Sequence, residues 1–137
     1  MNIDEEQQIY EESRVIAIVG LSPNEDRPSH RVGGYLKNNG YVIIPVNPAA
    51  EKILEEKCYP DLASIAEAVD VVDIFRKSED VLPIVQEAVR IGAKTVWMQE
   101  GVINEEAAEY ARQAGLKVVM NRCMLKEHQR IYNSGWE

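Results

Sequence analysis

Three times in this chain a helical stretch stops at a glycine and an apolar strand follows at once. Gly40 precedes Tyr41 to Val46 (YVIIPV), Gly92 precedes Lys94 to Gln99 (KTVWMQ), and Gly115 precedes Lys117 to Met120 (KVVM). A glycine just past a helix takes the left-handed conformation without steric cost, so these are helix-to-strand junctions. Arg14 to Val19 (RVIAIV) and Val69 to Phe75 (VDVVDIF) supply two more strands. The runs are mostly continuous rather than alternating, which means that both faces are covered. Helical segments at residues 29–39, about 80–91 and 104–114 separate them, the last with Asn104 at its N-cap. Short buried strands alternating with helices make a parallel sheet with right-handed crossovers. The expected fold is therefore α/β: a Rossmann-like, doubly wound, parallel five-stranded sheet of order 3-2-1-4-5 with helices on both faces.

Asp61 to Ala68 (DLASIAEA) reads as a further helix capped by Asp61, and Met124 to about Tyr132 as a last one. Asp4 to Glu12 opens with an Asp-x-x-Gln spacing, the pattern of a capping box. Pro45 is expected near the end of the second strand, where a missing ladder donor is tolerable. No linker or low-complexity tract divides the 137 residues, so 1–137 reads as a single domain with 1–13 as a helical extension.

A net charge of −8 argues against nonspecific nucleic-acid binding, which draws on basic surface. No apolar run approaches the roughly 20 residues of a membrane span. The acidic, polar start is unlike a signal peptide, and the expected location is the cytoplasm. Cys58 and Cys123 are too few for a disulfide framework and lack the spacing of a zinc site.

Open parallel sheets bind ligands beyond the carboxyl ends of their strands. Past the five strands come Gly20-Leu21-Ser22-Pro23, Asn47-Pro48, Arg76-Lys77-Ser78, Glu100-Gly101 and Asn121-Arg122-Cys123. Arg27, Arg31, Arg76, Lys77 and Arg122, with His30 nearby, gather cations in these loops of an acidic chain. A helix starting near Ser29 adds backbone N–H groups and a positive dipole end, a ready anion site. Together they form a rim suited to a diphosphate. Gly20 is followed by no second or third glycine in dinucleotide register, and the second strand ends in Val46-Asn47-Pro48 without a carboxylate, so NAD is disfavoured. The P-loop pattern is absent as well.

Several ordered motifs then carry a resemblance. Gly20-Leu21-Ser22-Pro23, Arg27-Pro28-Ser29, Val42 to Pro48 (VIIPVNP), Val72 to Arg76 (VDIFR), Gly92 to Gln99 (GAKTVWMQ), Gly101 to Asn104 (GVIN) and Asn121 to Met124 (NRCM) are similar to stand-alone CoA-binding domain proteins. More remotely the chain resembles the N-terminal CoA-binding domain of the succinyl-CoA synthetase α subunit. The resemblance implies coenzyme A, or an acyl-CoA, lying across the strand ends. It places Gly20, Ser22 and Pro23 at the diphosphate, helped by Arg27 and Ser29. It places Val46, Asn47 and Pro48 beside the adenosine, and Phe75, Arg76, Gln99, Glu100 and Gly101 along the groove toward the pantetheine arm. The synthetase lysine that follows the second strand has its nearest counterpart, Lys52, one position further on. In the synthetases the phosphohistidine and acyl-transfer machinery lie outside this domain, so binding without catalysis is expected. The alternatives are a small enzyme acting on a CoA thioester through Glu100 or Cys123, and a redox or regulatory protein that senses CoA through Cys123. Association with itself or with a partner protein stays open. Phe75 reads equally as core or as an adenine neighbour, Trp97 as core, Cys58 as structural, and His30 and His128 as surface residues.

Overall fold

The computed structural model describes residues 2–133. The elements run α1 (Ile3–Glu12), β1 (Val15–Val19), α2 (Pro28–Asn38), β2 (Val42–Val46), β3 (Lys52–Ile53), β4 (Glu56–Lys57), β5 (Val71–Ile74), α3 (Val81–Arg90), β6 (Thr95–Met98), α4 (Glu105–Gln113), β7 (Lys117–Met120) and α5 (Met124–Asn133). Five strands form one parallel sheet, and β3 and β4 make a small separate hairpin. Ala17, Val19, Ile44, Val72, Ile74, Val96, Met98 and Val118 face a core shared with α3 and α4. Ile16, Ile18, Ile43, Val71, Trp97 and Val119 face the core shared with α1, α2 and α5. Both faces of the sheet are covered, which is why the strands read as unbroken apolar runs.

The α/β class and the doubly wound parallel sheet agree with the pattern of the sequence, but the strand order does not. The sheet runs β2-β1-β5-β6-β7, so the third main strand lies inside, against β1, rather than outside β2. Pro45 supplies the physical reason. Its carbonyl points to the outer side of β2, where it accepts a hydrogen bond from Tyr59 N at 3.0 Å. A strand residue turns its N and O to the same side, so the missing proline donor also falls on the outer edge. The inner ladder is intact, with Gly20 N donating to Val46 O at 2.9 Å. A strand outside β2 would meet a gap there, whereas an edge position costs nothing. β5, buried along its whole length, takes the interior place instead.

Three further expectations are corrected. Asp61 caps only a single turn, Leu62–Ser64, accepting from Ser64 N at 2.9 Å, and no helix covers 61–68. After β2 the chain must cross β1 and return to the amino end of the sheet. Extended backbone covers over 3 Å per residue against 1.5 Å in a helix, and the crossover uses that reach. Leu62, Ile65 and Val69 still anchor it in the core. The capping box of α1 is Asn2 with Glu5, not Asp4 with Gln7. His128 is buried, not a surface residue. Its Nδ1 lies 2.6 Å from Tyr35 Oη, and Tyr10, Tyr41 and Tyr132 ring it. Trp97 is fully buried and donates from Nε1 to Arg122 O at 2.8 Å. Cys58 is buried and free.

Candidate functional site

The chain steps outward from β1 to β2, then returns to β5 and continues to β6 and β7, so winding reverses between β1 and β5. A crevice is expected at that point, beyond the carboxyl ends. Val19 pairs with Ile74, which makes Gly20 and Phe75 direct neighbours at the switch. Gly20 has a φ of +88°, and a Cβ on it would sit 2.2 Å from Phe75 O. No side chain fits. The two strand ends can approach this closely only because residue 20 is glycine.

A cleft of about 630 Å3 opens there, lined by Gly20, Ser22, Arg27, Pro28, Ser29, Asn47, Phe75, Arg76, Lys77, Asp80, Gln99, Glu100 and Val102. Of the residues singled out from the sequence, it brings together Gly20, Ser22, Arg27, Ser29, Asn47, Phe75, Arg76, Gln99 and Glu100. Four others stand apart. Val46 is buried in the core on the α3 and α4 side. Pro23 and Pro48 are exposed beyond the cleft. Gly101 donates its N–H to Asn121 Oδ1 at 2.7 Å in a neighbouring loop. Asp80 was not singled out, Pro28 and Val102 stood only within quoted motifs, and Lys77 only as a loop cation. The periodicity carries no signal for Lys77, Asp80 and Val102, because their place depends on how the loops after β5 and β6 fold back.

Those loops are laced together. Ser78 Oγ accepts from Ile103 N at 2.9 Å, and Asn104 Nδ2 donates to Ser78 O at 2.8 Å. On the opposite wall, Ser29 Oγ accepts from Ser22 N at 3.0 Å, and His30 Nδ1 lies 2.9 Å from Ser22 O. Asn47 uses both ends of its amide on backbone, Nδ2 to Leu21 O at 3.0 Å and Oδ1 from Ala49 N at 2.8 Å. Ser29 and Asn47 thus shape the loops. The helix start offers less than expected: Pro28 has no N–H, and the His30 and Arg31 amides turn back to Arg27 O. The dipole of an eleven-residue helix with no acid in its first turn remains.

The cations divide into two groups. Arg31 braces the loop by donating to Asp26 O at 2.8 Å, and Arg122 turns to Glu6 and Glu127. Arg27, Arg76 and Lys77 are exposed cleft residues whose side chains make no hydrogen bond or ion pair among the described residues. Of the two cleft carboxylates, Glu100 is held by Lys126 at 2.9 Å, and Asp80 stands unpaired among the described residues. The cleft is therefore locally cationic, ready for an anion. Cys123 is half-buried before α5 and does not line the cleft.

Beneath the floor lies a residue the sequence reading passed over. Asp73 on β5 is fully buried, and its Oδ1 accepts from Gln99 Nε2 at 2.6 Å. Burial pushes its carboxyl up to about 8, and the Gln99 hydrogen bond opposes this only in part. A carboxylate inside an apolar strand was the available signal, since such groups are rarely buried without a partner.

Fold and cleft together define a Rossmann-like α/β domain with an anion-ready crevice at its switch point. The chain belongs to the CoA-binding domain family, which matches residues 14–129. The uncharacterized protein YneT of Bacillus subtilis (strain 168) is 37% identical over 121 residues, covering 88% of this chain and 90% of YneT. The ADP-forming acetate–CoA ligase II of Archaeoglobus fulgidus is 35% identical over 102 residues, which span 71% of this chain but 15% of the ligase. Among solved structures, a hypothetical protein from Pyrococcus horikoshii OT3 superposes with a TM-score of 0.93 at 40% identity, covering 96% of this chain and 92% of its own.

Proposed function

We propose that this protein binds coenzyme A or an acyl-CoA in the cleft between Gly20 and Gln99, without chemistry of its own. One observation carries the reading: three cations without an ion-pair partner among the described residues, Arg27, Arg76 and Lys77, line the cleft with Gly20 in a chain of net charge −8. A diphosphate at the Gly20 turn would meet the start of α2 and these side chains, and Phe75 offers a ring at the same rim. Arg27, Pro28 and Ser29 form one wall, and Gln99, Glu100 and Val102 the other, along which the pantetheine arm would run. Membership of the family supports the cofactor class. No helix among the described residues is long and apolar enough to cross a membrane, and both thiols are free, which suits the reducing cytoplasm. Cys123 lies outside the cleft lining, so nothing in the geometry favours the thiol-based readings. Isothermal titration of the protein with coenzyme A and, separately, with NAD tests the proposal. Saturable binding of coenzyme A without binding of NAD is expected, and saturation by NAD alone would overturn it.

A further inference from the structure

The register of the sheet places Asp73 opposite Trp97 on the face covered by α1, α2 and α5. Alternation along β6 brings Gln99, two residues beyond Trp97, to the same face, diagonally across from Asp73. Gln99 is 2% exposed yet lines the cleft, so it connects the core to the crevice. Its Nε2 is held at 2.6 Å by Asp73 Oδ1. Its carbonyl oxygen takes no hydrogen bond from any described residue and, unlike Asp73 Oδ2, is not sealed from solvent.

We propose that Asp73 is a positioning residue: by holding Gln99 Nε2 from inside the core, it fixes Gln99 Oε1 as a hydrogen-bond acceptor at the cleft floor. A carbonyl oxygen so fixed takes an N–H or O–H donor and repels a phosphate oxygen. The inference rests on the coenzyme A reading above, and it assigns the floor to a neutral donor-bearing part of the cofactor, with the phosphates kept to the cationic rim. Asp73 suits this role as a neutral acid at pH 7, because its own core neighbours, Ile18, Trp97 and Tyr10, bring no cation to balance a carboxylate. A neutral acid holds the amide without setting a full negative charge beneath an anionic ligand.

The test is a double-mutant cycle read by titration with coenzyme A, using wild type, Asp73→Leu, Gln99→Leu, the double variant and Asp73→Asn. One neutral hydrogen bond sets the expected scale, a roughly fivefold to tenfold loss of affinity. Asp73→Leu and Gln99→Leu should each show that loss, and the double variant should bind no more weakly than either, because Asp73 acts only through Gln99. Asp73→Asn, which keeps an acceptor at Oδ1, should stay within about twofold of wild type. Wild-type affinity in Asp73→Leu, or losses that add in full in the double variant, would overturn the proposal and leave the cofactor reading intact. Absence of coenzyme A binding by wild type itself would remove the cofactor reading. Should Asp73→Leu fail to give a cooperative thermal transition, Gln99→Leu decides, and wild-type affinity there sinks the idea.

Discussion

The two ends of the sheet handle charge in opposite ways. At the amino end a second cavity of about 400 Å3 lies among Glu12, Ser13, Gly92, Lys94, Gly115 and Lys117. Its lysines are engaged: Lys94 Nζ lies 3.5 Å from Asp70 Oδ1, and Lys117 Nζ 3.7 Å from Glu12 Oε1. Gly92 and Gly115 mark it as the place where α3 and α4 end, so the dipole ends facing it are negative and the lysines complement them. At the carboxyl end Arg27, Arg76 and Lys77 line the cleft without an ion-pair partner among the described residues. Two aspartates three residues apart repeat the contrast inside the protein. Burial pushes Asp70 upward, but hydrogen bonds from the Val15 and Arg14 amides, with Lys94, outweigh it and hold the carboxyl below the usual carboxylate range. Asp73 has one amide and is pushed up to about 8 by burial. One end of the fold satisfies itself, and the other is built to be completed.

The strongest way to break that comparison is at its glycines. Gly20→Ala drives a methyl group into Phe75 O at a positive φ, whereas Gly92→Ala at a φ of +80° meets open space. Urea denaturation should show a loss of roughly 2–4 kcal/mol at residue 20 and about 1 kcal/mol at residue 92, with coenzyme A binding abolished only in the former. Equal losses at the two sites would remove the close approach from the account.

Buried acid sharpens the contrast through pH. Folded Asp73 keeps a proton that the unfolded chain gives up near pH 4, so its contribution to stability is whole below that pH and falls away as pH rises through about 8. Glu6, 1% exposed on α1, is pushed up to about 7, by burial first and then by Glu127, and acts with the same sign. Asp70 has the opposite sign, since its contribution is present above pH 4 and lost in acid. Thermal melting across pH 4 to 9 should fall toward alkaline pH in wild type. In Asp73→Asn the decline should be shallower and end near pH 7, leaving the Glu6 part. An unchanged slope in that variant would contradict the burial of an ionisable Asp73.

Smaller effects come from single cations. Arg76→Ala and Lys77→Ala should each weaken coenzyme A binding about tenfold, more in low salt than in high, with the melting temperature nearly unmoved. Lys94→Ala and Lys117→Ala should leave affinity unchanged and cost below about 1 kcal/mol, as exposed ion pairs do. Affinity lost equally at both ends would mean that a diffuse field, and not the cleft, attracts the ligand.

Much of the fold is legible in the chain because its signals are local. Gly40, Gly92 and Gly115, the unbroken apolar strands and the Asn104 cap each act within a few residues, and each stands where the pattern places it. Asp61 to Ala68 misleads for the same reason, since its helical spacing is real but the crossover needs the reach of extended backbone. At the site, Gly20, Arg27, Arg76 and Gln99 follow from their places just past strands or at a helix start, the part of the architecture where ligands sit. Arg31 and Arg122 resemble them in the sequence and differ only in having found partners.

By itself the chain determined that five buried strands alternate with helices, that glycine closes the first turn, and that cations collect at the strand ends. Periodicity and steric rules of short range are sufficient for that. Strand order, the seating of Phe75 against Gly20, the division of arginines into free and engaged, and the grip of Asp73 on Gln99 were decided by tertiary structure. Each depends on which strands become neighbours, and adjacency between segments 24 to 55 residues apart, β5 with β6 and with β1, is settled by packing the whole core at once. Pro45 is the one local residue that anticipates it, because a strand lacking a donor on one side cannot complete a ladder there, and only the short Tyr59 bridge meets that edge.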